Sequence, residues 1–577
     1  MKLQGLFFSY KIKNGTLLPV RNGGYKMKIA LVTMNVKAGQ CKENVRFMKD
    51  KIMQAREDGA DLIVFPQNAV SGYLLGDTWL DDDYCRYIDS FNDEIIKESN
   101  DIAIVWGNIR YRNHRRFNAA FFAYKGMTHM RVKKNHSSPY MNDFAYFENN
   151  NINSAIEYKD DMVFALNFGN EIQLTDMNIN LDARPYDNNH NLDVAGNVIY
   201  VNACGMQNND HSIMLMEGGS CVYRNGKCLY HAPYFVEDYA IVDLDCEQED
   251  CDKERSLLNA LTMGIREFDK QVLGGRLPWV VGMSGGLDSS VTSALFVHAL
   301  GKERVHGYNL ATRHNSETTK SNARKEAEQL GIECREGAIE DLVAQAQETL
   351  LKEYQYNIDD CPVLVKENLQ ARARGYLLNS FAGILGGVVI NNANKVEVSL
   401  GYCTLYGDSI GAMSPIADLT KVQLFDLSKE LNKVFEKEVV PVGLLPNVQK
   451  NRIDWKMPPS AELKENQFDP MKWFYHDYLV EHLGNDITIS KFIQSYEEGT
   501  LDETIKPWIT YYGLDNPKAF IEDLQWFLST QQRNSFKCLQ LPPSLCVHHK
   551  TYANRNLTQM RKDDLYIEKF KKKYELQ

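Results

Sequence analysis

The sequence predicts an α/β protein built from two large domains. Short apolar segments rich in β-branched residues alternate with segments of helical spacing in both halves of the chain, which is the rhythm of strand–helix units. The chain has 577 residues, more than one ordinary domain holds. Its hydrophobic content of 44% and charged content of 24% supply buried cores and exclude wholesale disorder.

The first half, residues 27–245, is predicted to begin with a strand and a helix. Asn225-Gly226 predicts a hairpin between 219–223 and 227–231, because Asn-Gly supplies a tight two-residue turn. The other predicted elements are strands Ile29–Met34, Asp61–Phe65, Ile102–Gly107 and Val198–Asn202, and a helix Asn44–Asp58.

Two segments fall outside the predicted domains. Residues 1–26 lack the strand–helix pattern of the domain that begins after them, and we expect Met27 to be the natural start, since the codons of Gly23 to Met27 can spell a ribosome-binding site. Residues 246–256 are polar and are predicted to be a linker.

The second half, residues 257–577, repeats the strand–helix alternation. This rhythm predicts a doubly wound parallel sheet. Its predicted elements are helices Leu257–Gln271, Ser290–Leu300 and Lys320–Gln329, and strands Trp279–Met283, Val305–Leu310 and Val388–Asn391.

Charge and cysteine usage exclude several classes of protein. The net charge of −11 argues against nucleic acid as the main partner. The twelve cysteines form no C-x-x-C pair, which disfavours a zinc ribbon, and their dispersal predicts reduced thiols in the cytoplasm. No apolar run approaches the roughly 20 residues that span a bilayer.

A glycine-rich loop comes after the predicted strand Trp279–Met283. Its sequence is Ser284-Gly285-Gly286-Leu287-Asp288-Ser289-Ser290, and a helix comes next. Glycines let backbone amides approach an anion, and a helix N-terminus favours phosphate. Asp288 would repel phosphate unless a cation lay between them, which implies Mg²⁺. The loop resembles the S-G-G-[IL]-D-S signature of ATP pyrophosphatases, which split ATP into AMP and pyrophosphate.

Downstream segments resemble NAD synthetases over roughly residues 260–550. The most diagnostic strings are the G-Y-C-T-L-Y-G-D of 401–408 and the P-S-A-E-L of 459–463. The resemblance implies that deamido-NAD is adenylated by ATP and that ammonia then displaces AMP. It assigns catalysis to Asp288, Glu397 and Lys421, and Mg²⁺ to Asp288 and Glu397. It assigns ATP binding to Gly282, Ser284, Gly285, Gly286, Asp288, Ser289, Asn392, Lys421 and Ser460, and deamido-NAD binding to Asn368, Arg372, Glu397, Tyr402, Cys403, Thr404, Leu405 and Lys537.

One departure from that family is visible in the sequence. The family has Thr-Gly where Asn392-Ala393 stands, and Ser where Val396 stands. This predicts altered ATP affinity. It also leaves open another AMP-forming amide ligase that acts on a different carboxylate, or a silent subunit that regulates a true synthetase.

The first half resembles the nitrilase-type glutaminase of such synthetases, which implies an α-β-β-α sandwich. Phe65-Pro66-Gln67 with Ser71-Gly72-Tyr73 matches F-P-E…[ST]-G-Y. The chemistry needs Glu as base, Lys for the oxyanion and Cys as nucleophile. Here the matched positions are Gln67, Lys134 and Leu174, so glutamine hydrolysis is predicted to be lost. The resemblance further implies a homo-oligomer, with ammonia free or delivered by a separate glutaminase.

Overall fold

The structure is a computed structural model, and it describes most of the chain. It divides into two compact units, residues 1–264 with 547–549, and residues 265–546 with 550–577. The described residues are 10–13, 16–19, 27–150, 155–159, 162–191, 196–246, 251–311, 317–449, 452–455, 469–553, 560 and 563–576, of which 10–13, 16–19 and 317–320 are described by backbone alone.

The first unit is rich in strands. Its helices are α1 (Cys41–Glu57), α2 (Asp82–Lys97) and α3 (Asp143–Tyr146), with a 3₁₀ turn at Gly76–Leu80. Its strands are β1 (Tyr10–Lys13), β2 (Thr16–Pro19), β3 (Lys28–Thr33), β4 (Leu62–Val64), β5 (Ala103–Arg112), β6 (Arg115–Tyr124), β7 (Met127–Val132), β8 (Ser137–Ser138), β9 (Met141–Asn142), β10 (Ala155–Tyr158), β11 (Met162–Phe168), β12 (Met177–Asp182), β13 (Val198–Asn202), β14 (Cys204–Asn209), β15 (Ser212–Glu217), β16 (Cys221–Arg224), β17 (Lys227–His231) and β18 (Asp238–Asp243).

Two six-stranded sheets pack face to face in this unit. One has the order β18-β3-β4-β5-β6-β7 and the other β10-β11-β12-β13-β16-β17. Strands β3, β4 and β5 are parallel, as are β11, β12 and β13. The core lies between the sheets, where alternate residues such as Leu31, Val64, Phe122, Phe164 and Leu181 are buried. The two-sheet sandwich predicted from the resemblance is confirmed.

Helices α1 and α2 cover the outer face of the first sheet. Asp81 caps α2 by accepting hydrogen bonds from the N–H groups of Asp83 and Tyr84, and the helix buries Ile88, Phe91 and Ile95. Of the residues that the structure describes, 183–191 and 196–197 connect β12 to β13 without a helix. The predicted second helical layer is therefore not found in the described part of that connection, which is short.

The predicted hairpin is confirmed at β16 and β17. Asn225 and Gly226 both have positive φ, as the tight turn requires. One cysteine prediction is wrong, because Cys228 of β17 forms a disulfide with Cys251 of the predicted linker. The sequence spacing of 23 residues gave no sign of this pair.

Helix α4 (Leu257–Leu273) carries the chain from the first unit into the second. The second unit adds 3₁₀ turns at Lys302–Arg304, Ile358–Asp360 and Val442–Leu444. Its strands are β19 (Trp279–Gly282), β20 (Val305–Ala311), β21 (Cys334–Ala338), β22 (Val388–Val389), β23 (Asn447–Gln449), β24 (Arg452–Asp454) and β25 (Ser544–Cys546). Its further helices are α5 (Leu287–Leu300), α6 (Glu317–Leu330), α7 (Glu340–Tyr354), α8 (Val363–Leu385), α9 (Lys395–Leu400), α10 (Lys421–Phe435), α11 (Tyr475–His482), α12 (Ile489–Glu498), α13 (Lys506–Tyr511), α14 (Pro517–Cys538) and α15 (Leu565–Lys573).

The second unit is organised around a parallel sheet of order β21-β20-β19-β22. Val280, Tyr308 and Val389 of this sheet pack against Leu378 and Phe381 of α8. The carboxyl ends of β19 and β22 lie side by side, so the segments after them meet at one edge of the sheet. The predicted parallel sheet is confirmed, with α5 beginning three residues earlier than predicted.

None of the described helices combines the length and apolarity that crossing a membrane requires. The cytoplasmic location stays a prediction.

Candidate active site

The glycine-rich loop joins the end of β19 to the start of α5. Gly285 has φ of +77°, a conformation that residues with a Cβ rarely adopt. Among the described residues, no side chain caps the N-terminus of α5. The Ser284 Oγ accepts a hydrogen bond from the Gly286 N–H at 3.3 Å and lies 3.1 Å from the Ser289 Oγ. Unpaired N–H groups and hydroxyls therefore surround one point, which suits a phosphate.

An acid and a lysine meet at the first turn of α5. The Lys421 Nζ donates to the Asp288 Oδ2 at 2.6 Å, although the two residues are 133 positions apart. Lys421 is the first residue of α10 and is buried. The Thr420 side chain caps this helix by accepting from the Gln423 N–H, which fixes where Lys421 leaves the backbone.

Glu397 completes the charged cluster. Burial, and then the nearby Asp288 carboxylate, raise the pKa of Glu397 well above its usual range, while Lys421 acts in the opposite direction. Burial would lower the pKa of Lys421, but Asp288 and Glu397 outweigh burial and raise it. The cluster therefore keeps a charged lysine beside two acids that repel each other.

The cluster fits a divalent cation held by two carboxylates. The Asp288 Oδ1 is buried and has no hydrogen-bond partner among the described residues, and burial together with the nearby Asp288 carboxylate raises the pKa of Glu397. The described part of the chain contains no group of three or more His, Cys, Asp or Glu side chains that could hold a metal ion. Mg²⁺ characteristically binds through one or two carboxylates plus substrate phosphates.

Asn392 occupies the edge of the same sheet. Its Nδ2 donates to the Gly282 carbonyl at 3.0 Å, so it ties the segment after β22 to the end of β19. Its Oδ1 is buried without a partner. The ATP contacts of Gly282 and Asn392 stay predictions, and Ser460 lies outside the described residues.

The residues assigned to the dinucleotide substrate converge on the segment 401–408. The Thr404 Oγ1 donates to the Asn368 Oδ1 of α8 at 2.7 Å, and the Arg372 Nε donates to the Leu405 carbonyl at 3.3 Å. The Lys537 Nζ of α14 donates to the Gly401 and Cys403 carbonyls at 3.0 and 2.8 Å. The structure brings these residues together, and their roles in binding stay predictions.

Backbone contacts connect this segment to the acids. The Tyr402 N–H donates to the Glu397 carbonyl at 2.9 Å. A Cβ on Gly375 of α8 would lie 2.6 Å from the Gly407 carbonyl oxygen, so only glycine permits this approach. Burial raises the pKa of Cys403 to about 12, so its thiol is not a thiolate at neutral pH.

Three acids near the cluster were not predicted. Asp477 accepts the Lys421 N–H at 2.6 Å, and burial raises its pKa to about 6. Glu326 accepts from the Ser290 Oγ at 2.8 Å, and burial raises its pKa to about 8. The Asp408 Oδ1 accepts a hydrogen bond from the Thr404 N–H at 2.6 Å. Asp408 is the last residue of the string 401–408, and this was the only indication in the sequence that any of the three acids lies near the site.

The glutaminase-like position of the first unit lies at the end of β4. Gln67 is buried, its N–H donates to the Asp182 carbonyl at 3.2 Å, and its Nε2 has no partner. A Cβ on Gly107 would lie 2.5 Å from the Gln67 Cα, so β5 packs directly against it.

The predicted Lys134 and its neighbour Lys133 have different surroundings, which favour Lys133 for the lysine position. Lys134 is exposed, whereas Lys133 is buried and donates to the Asp143 Oδ2 at 2.8 Å and to the Tyr73 hydroxyl at 2.9 Å. Lys134 points outward because alternate residues at the end of β7 face opposite sides of the sheet. Burial would raise the pKa of Asp143, but hydrogen bonds from His136 and Lys133 dominate and lower it to about 2.

The nucleophile position stays a prediction, but Leu174 and Asp182 lie in different surroundings. Leu174 is 73% exposed in the turn before β12, whereas Gln67 and Lys133 are buried. Asp182, at the end of β12, accepts the hydrogen bond of the Gln67 N–H on its backbone carbonyl. Its carboxyl group interacts electrostatically with Lys133. The apolar alternation of Met177–Asp182 predicts a strand, and the last residue of a strand is where this kind of site holds its nucleophile. The shortened connection after the strand made this position hard to match by sequence. Cys221 is buried with its pKa raised to about 12, so it does not substitute.

Comparisons with known proteins agree with this geometry. The family model for NAD synthase matches residues 270–484. The glutamine-dependent NAD(+) synthetase of Acinetobacter baylyi is 27% identical over 477 residues, which span 77% of this chain and 84% of the relative. The Synechocystis enzyme of the same name is 29% identical over 510 residues, spanning 79% of this chain and 88% of the relative.

The chain is thus similar to glutamine-dependent NAD⁺ synthetases over most of its length. The fold agrees too, since the crystal structure of a glutamine-dependent NAD(+) synthetase from Cytophaga hutchinsonii superposes with a TM-score of 0.71. That match covers 95% of this chain and all of the other at 14% identity. The nitrilase-like sandwich and the synthetase sheet thus occur together in NAD⁺ synthetases.

Proposed function

We propose that this protein makes NAD⁺ from deamido-NAD, ATP and ammonia, and releases AMP and pyrophosphate. The observation that carries the proposal is the ion pair of the buried Lys421 with the half-buried Asp288 beside Glu397, next to the phosphate loop at the start of α5. Adenylation needs a cradle for the phosphates and fixed charge around the leaving pyrophosphate, and these residues provide both.

The chain's own residues position the reactants. N–H groups at the start of α5 and the Ser284 and Ser289 hydroxyls hold the phosphates, while Lys421 stabilises negative charge on the leaving pyrophosphate. Asp288 and Glu397 would hold Mg²⁺, which neutralises further phosphate charge. The carboxylate of deamido-NAD attacks the α-phosphorus and pyrophosphate leaves. Ammonia then attacks the acyl carbon, loses a proton and expels AMP.

We further propose that the first unit does not hydrolyse glutamine. The Gln67 amide cannot accept a proton at neutral pH, and Asp182 offers no thiol. Lys133 is engaged by Asp143 and Tyr73 within the fold. Ammonia is therefore free or comes from a separate glutaminase.

The enzyme is proposed to form a homo-oligomer through the second unit. Helix α8 leaves Leu364, Tyr376 and Ile384 more than 60% exposed. Leu364, Asn368, Arg372 and Tyr376 recur every four residues and share one side of the helix. This side of α8 combines exposed apolar residues with Asn368 and Arg372, which are assigned to the substrate. Such a surface suits contact with a second copy of the chain near the site.

One assay tests the chemistry. The purified chain is incubated with deamido-NAD, ATP and Mg²⁺, with either ammonium or ammonia-free glutamine, and NAD⁺ is measured. We expect ammonium to support turnover and glutamine to support at least about a hundredfold less, because base and nucleophile are both absent. No NAD⁺ with ammonium would refute the synthetase proposal, and comparable turnover with glutamine would refute the loss of the glutaminase.

A second measurement tests the oligomer. Leu364→Asp with Ile384→Asp should lower the sedimentation coefficient to that of a monomer, because charges would replace two exposed apolar side chains of α8. Leu80→Asp, at an apolar residue 53% exposed in the first unit, is the control. An unchanged oligomer in the double variant would place the interface elsewhere.

A further inference from the structure

A buried acid lies beside the phosphate loop and has no part in the proposed reaction. Glu326 of α6 is 1% exposed, and its Oε2 lies 2.8 Å from the Oγ of Ser290, in the first turn of α5. Among the described residues it has no ion-pair partner, and its Oε1 has no hydrogen-bond partner. An ionised carboxylate is costly to bury without a counter-charge. Packing alone therefore does not account for an acid at this position.

The serines beside Glu326 have too few protons for an ionised carboxylate. The Ser290 hydroxyl has two acceptors within reach, the Glu326 Oε2 at 2.8 Å and the Gly286 carbonyl at 2.9 Å. The Ser293 Oγ donates to the Ser289 carbonyl at 2.7 Å. A serine hydroxyl has one proton to donate and two lone pairs that accept. When the carboxyl carries a proton, it donates to the Ser290 Oγ, and Ser290 remains bonded to Gly286.

Burial favours this protonated form. It raises the pKa of Glu326 to about 8, although hydrogen bonds with Ser290 and Ser293 act in the opposite direction. The Cys334 thiol of β21 also interacts electrostatically with Glu326, but burial raises the pKa of this thiol to about 11, so it stays neutral up to pH 9. The causes of the Glu326 shift include none of the other ionisable side chains of α5, β20 and β21, namely Asp288, His298, His306, Tyr308, Arg335 and Glu336.

The proton on Glu326 decides which hydroxyl occupies the Gly286 carbonyl. The Ser289 Oγ lies 3.0 Å from the same carbonyl and 3.1 Å from the Ser284 Oγ, and both hydroxyls are assigned to ATP. While Ser290 donates to Gly286, Ser289 is able to turn its proton towards a phosphate oxygen. When Glu326 ionises and takes the Ser290 proton, Ser289 replaces it at Gly286. The loop then offers one donor fewer to the phosphates.

We propose that Glu326 is a positioning residue for the phosphate loop, which binds ATP more tightly when Glu326 is protonated than when it is ionised. Glu326 acts through Ser290 and does not touch the substrate. The inference rests on the proposed function only in taking the loop 284–290 as the ATP site. It requires no turnover, so ATP binding tests it separately from NAD⁺ synthesis.

The test is the affinity of the full chain for ATP as a function of pH. Equilibrium dialysis with ATP and Mg²⁺, without deamido-NAD or ammonium, gives the dissociation constants of the wild type and of Glu326→Gln from pH 6.5 to 9. The glutamine amide keeps the shape and donates to Ser290 at every pH. We expect the two constants to agree within about twofold at pH 6.5. At pH 9 the wild type should bind at least about fivefold more weakly than the variant, because only about a tenth of it carries the proton.

Two further variants separate this role from a general loss of structure. Glu328→Gln, at an exposed acid of the same helix, should follow the wild type at every pH. Ser290→Ala removes the hydroxyl that links Glu326 to the loop. Its dissociation constant should therefore change between pH 6.5 and 9 by the same factor as that of Glu326→Gln, within about twofold.

Three results would overturn the inference. They are parallel pH profiles of the wild type and Glu326→Gln, a wild-type profile retained in Ser290→Ala, and no binding of ATP by the wild type at pH 6.5. A chain that binds ATP with the expected profiles but makes no NAD⁺ would refute the proposed function and support this inference.

Discussion

Both units bury a lysine against an aspartate, yet the surroundings of the two pairs differ. Lys133 donates to Asp143 and to the Tyr73 hydroxyl, so its charge is used inside the first unit. Lys421 pairs with Asp288, whose other oxygen has no hydrogen-bond partner among the described residues. Asp288 also lies near Glu397 and in the first turn of α5, where no described side chain caps the helix. The comparison teaches that a buried lysine–aspartate pair does not by itself indicate a reactive site. Whether such a site can react depends on the neighbouring groups that would accept a proton or bind the substrate.

The largest expected effect comes from breaking the pair in the second unit. Asp288→Ala should lower kcat/KM for pyrophosphate release about a thousandfold or more, because Lys421 and Glu397 lose the group between them. The measurement is release of pyrophosphate with saturating ammonium. Asp426→Ala, at an exposed acid of α10 paired with Lys429, is the matched control and should be neutral. Retained release in the first variant would remove Asp288 from the metal site.

The corresponding change in the first unit should affect stability and leave the chemistry intact. Lys133→Met leaves Asp143 buried without its lysine, and we expect a loss of about 3–5 kcal/mol in the free energy of unfolding. Lys134→Met is the control, since an exposed lysine should contribute within about 0.5 kcal/mol. Urea unfolding gives both values. A larger effect at Lys134 would show that Lys134, and not Lys133, is the buried lysine.

Glu326 provides a pH test of the second unit. Its folded pKa of about 8 lies above the ordinary value of 4.5, so the folded state binds the extra proton. The stability that this carboxyl contributes is present below pH 4.5 and is lost as the pH rises towards and through 8, by at most about 1.4 kcal/mol per pH unit.

Glu326→Gln should remove that dependence. The variant should match the wild type near pH 5 and exceed it in melting temperature near pH 9, because the amide keeps the shape and never ionises. Glu328→Gln, at an exposed acid of the same helix, is the control. Parallel melting curves of wild type and Glu326→Gln across this range would mean that Glu326 is already ionised in the folded state.

The smallest expected effect is at Leu174. Leu174→Cys should leave glutamine hydrolysis absent and the free energy of unfolding within about 0.5 kcal/mol, because the side chain is exposed in a turn. Glutaminase activity gained by this single change would show that the nucleophile position is Leu174 and not Asp182.

The sequence predicted individual strands and turns well where the residues of the element itself determine its conformation. The strand Val198–Asn202 and the Asn225-Gly226 turn are found as predicted, because alternation and turn chemistry are encoded within a few residues. The string 284–290 likewise indicated the phosphate loop. The Lys421–Asp288 contact joins residues far apart, and here only the family resemblance brought them together.

The errors arose where a count of residues had to replace a pattern. Lys133 and Lys134 are adjacent and chemically identical, and only the side of β7 on which each lies separates them. Leu174 was predicted by matching a string across a shortened connection, whereas the Gln67 N–H donates to the Asp182 carbonyl at the end of β12, which is why we propose Asp182 for that position. The disulfide of Cys228 with Cys251 depends on how the linker is routed, which spacing does not encode.

The two altered positions of the first unit are not equally easy to reverse. Codons for glutamine and glutamate differ by one base, so Gln67 could regain a carboxylate in a single mutation. Codons for aspartate and cysteine differ by at least two bases, so Asp182 cannot become a thiol in one step. Either change alone gives no glutaminase on which selection can act. If the first unit does not hydrolyse glutamine, as we propose, recovery of that activity at these two positions would need at least three base changes, and until then the chain would depend on ammonia obtained elsewhere.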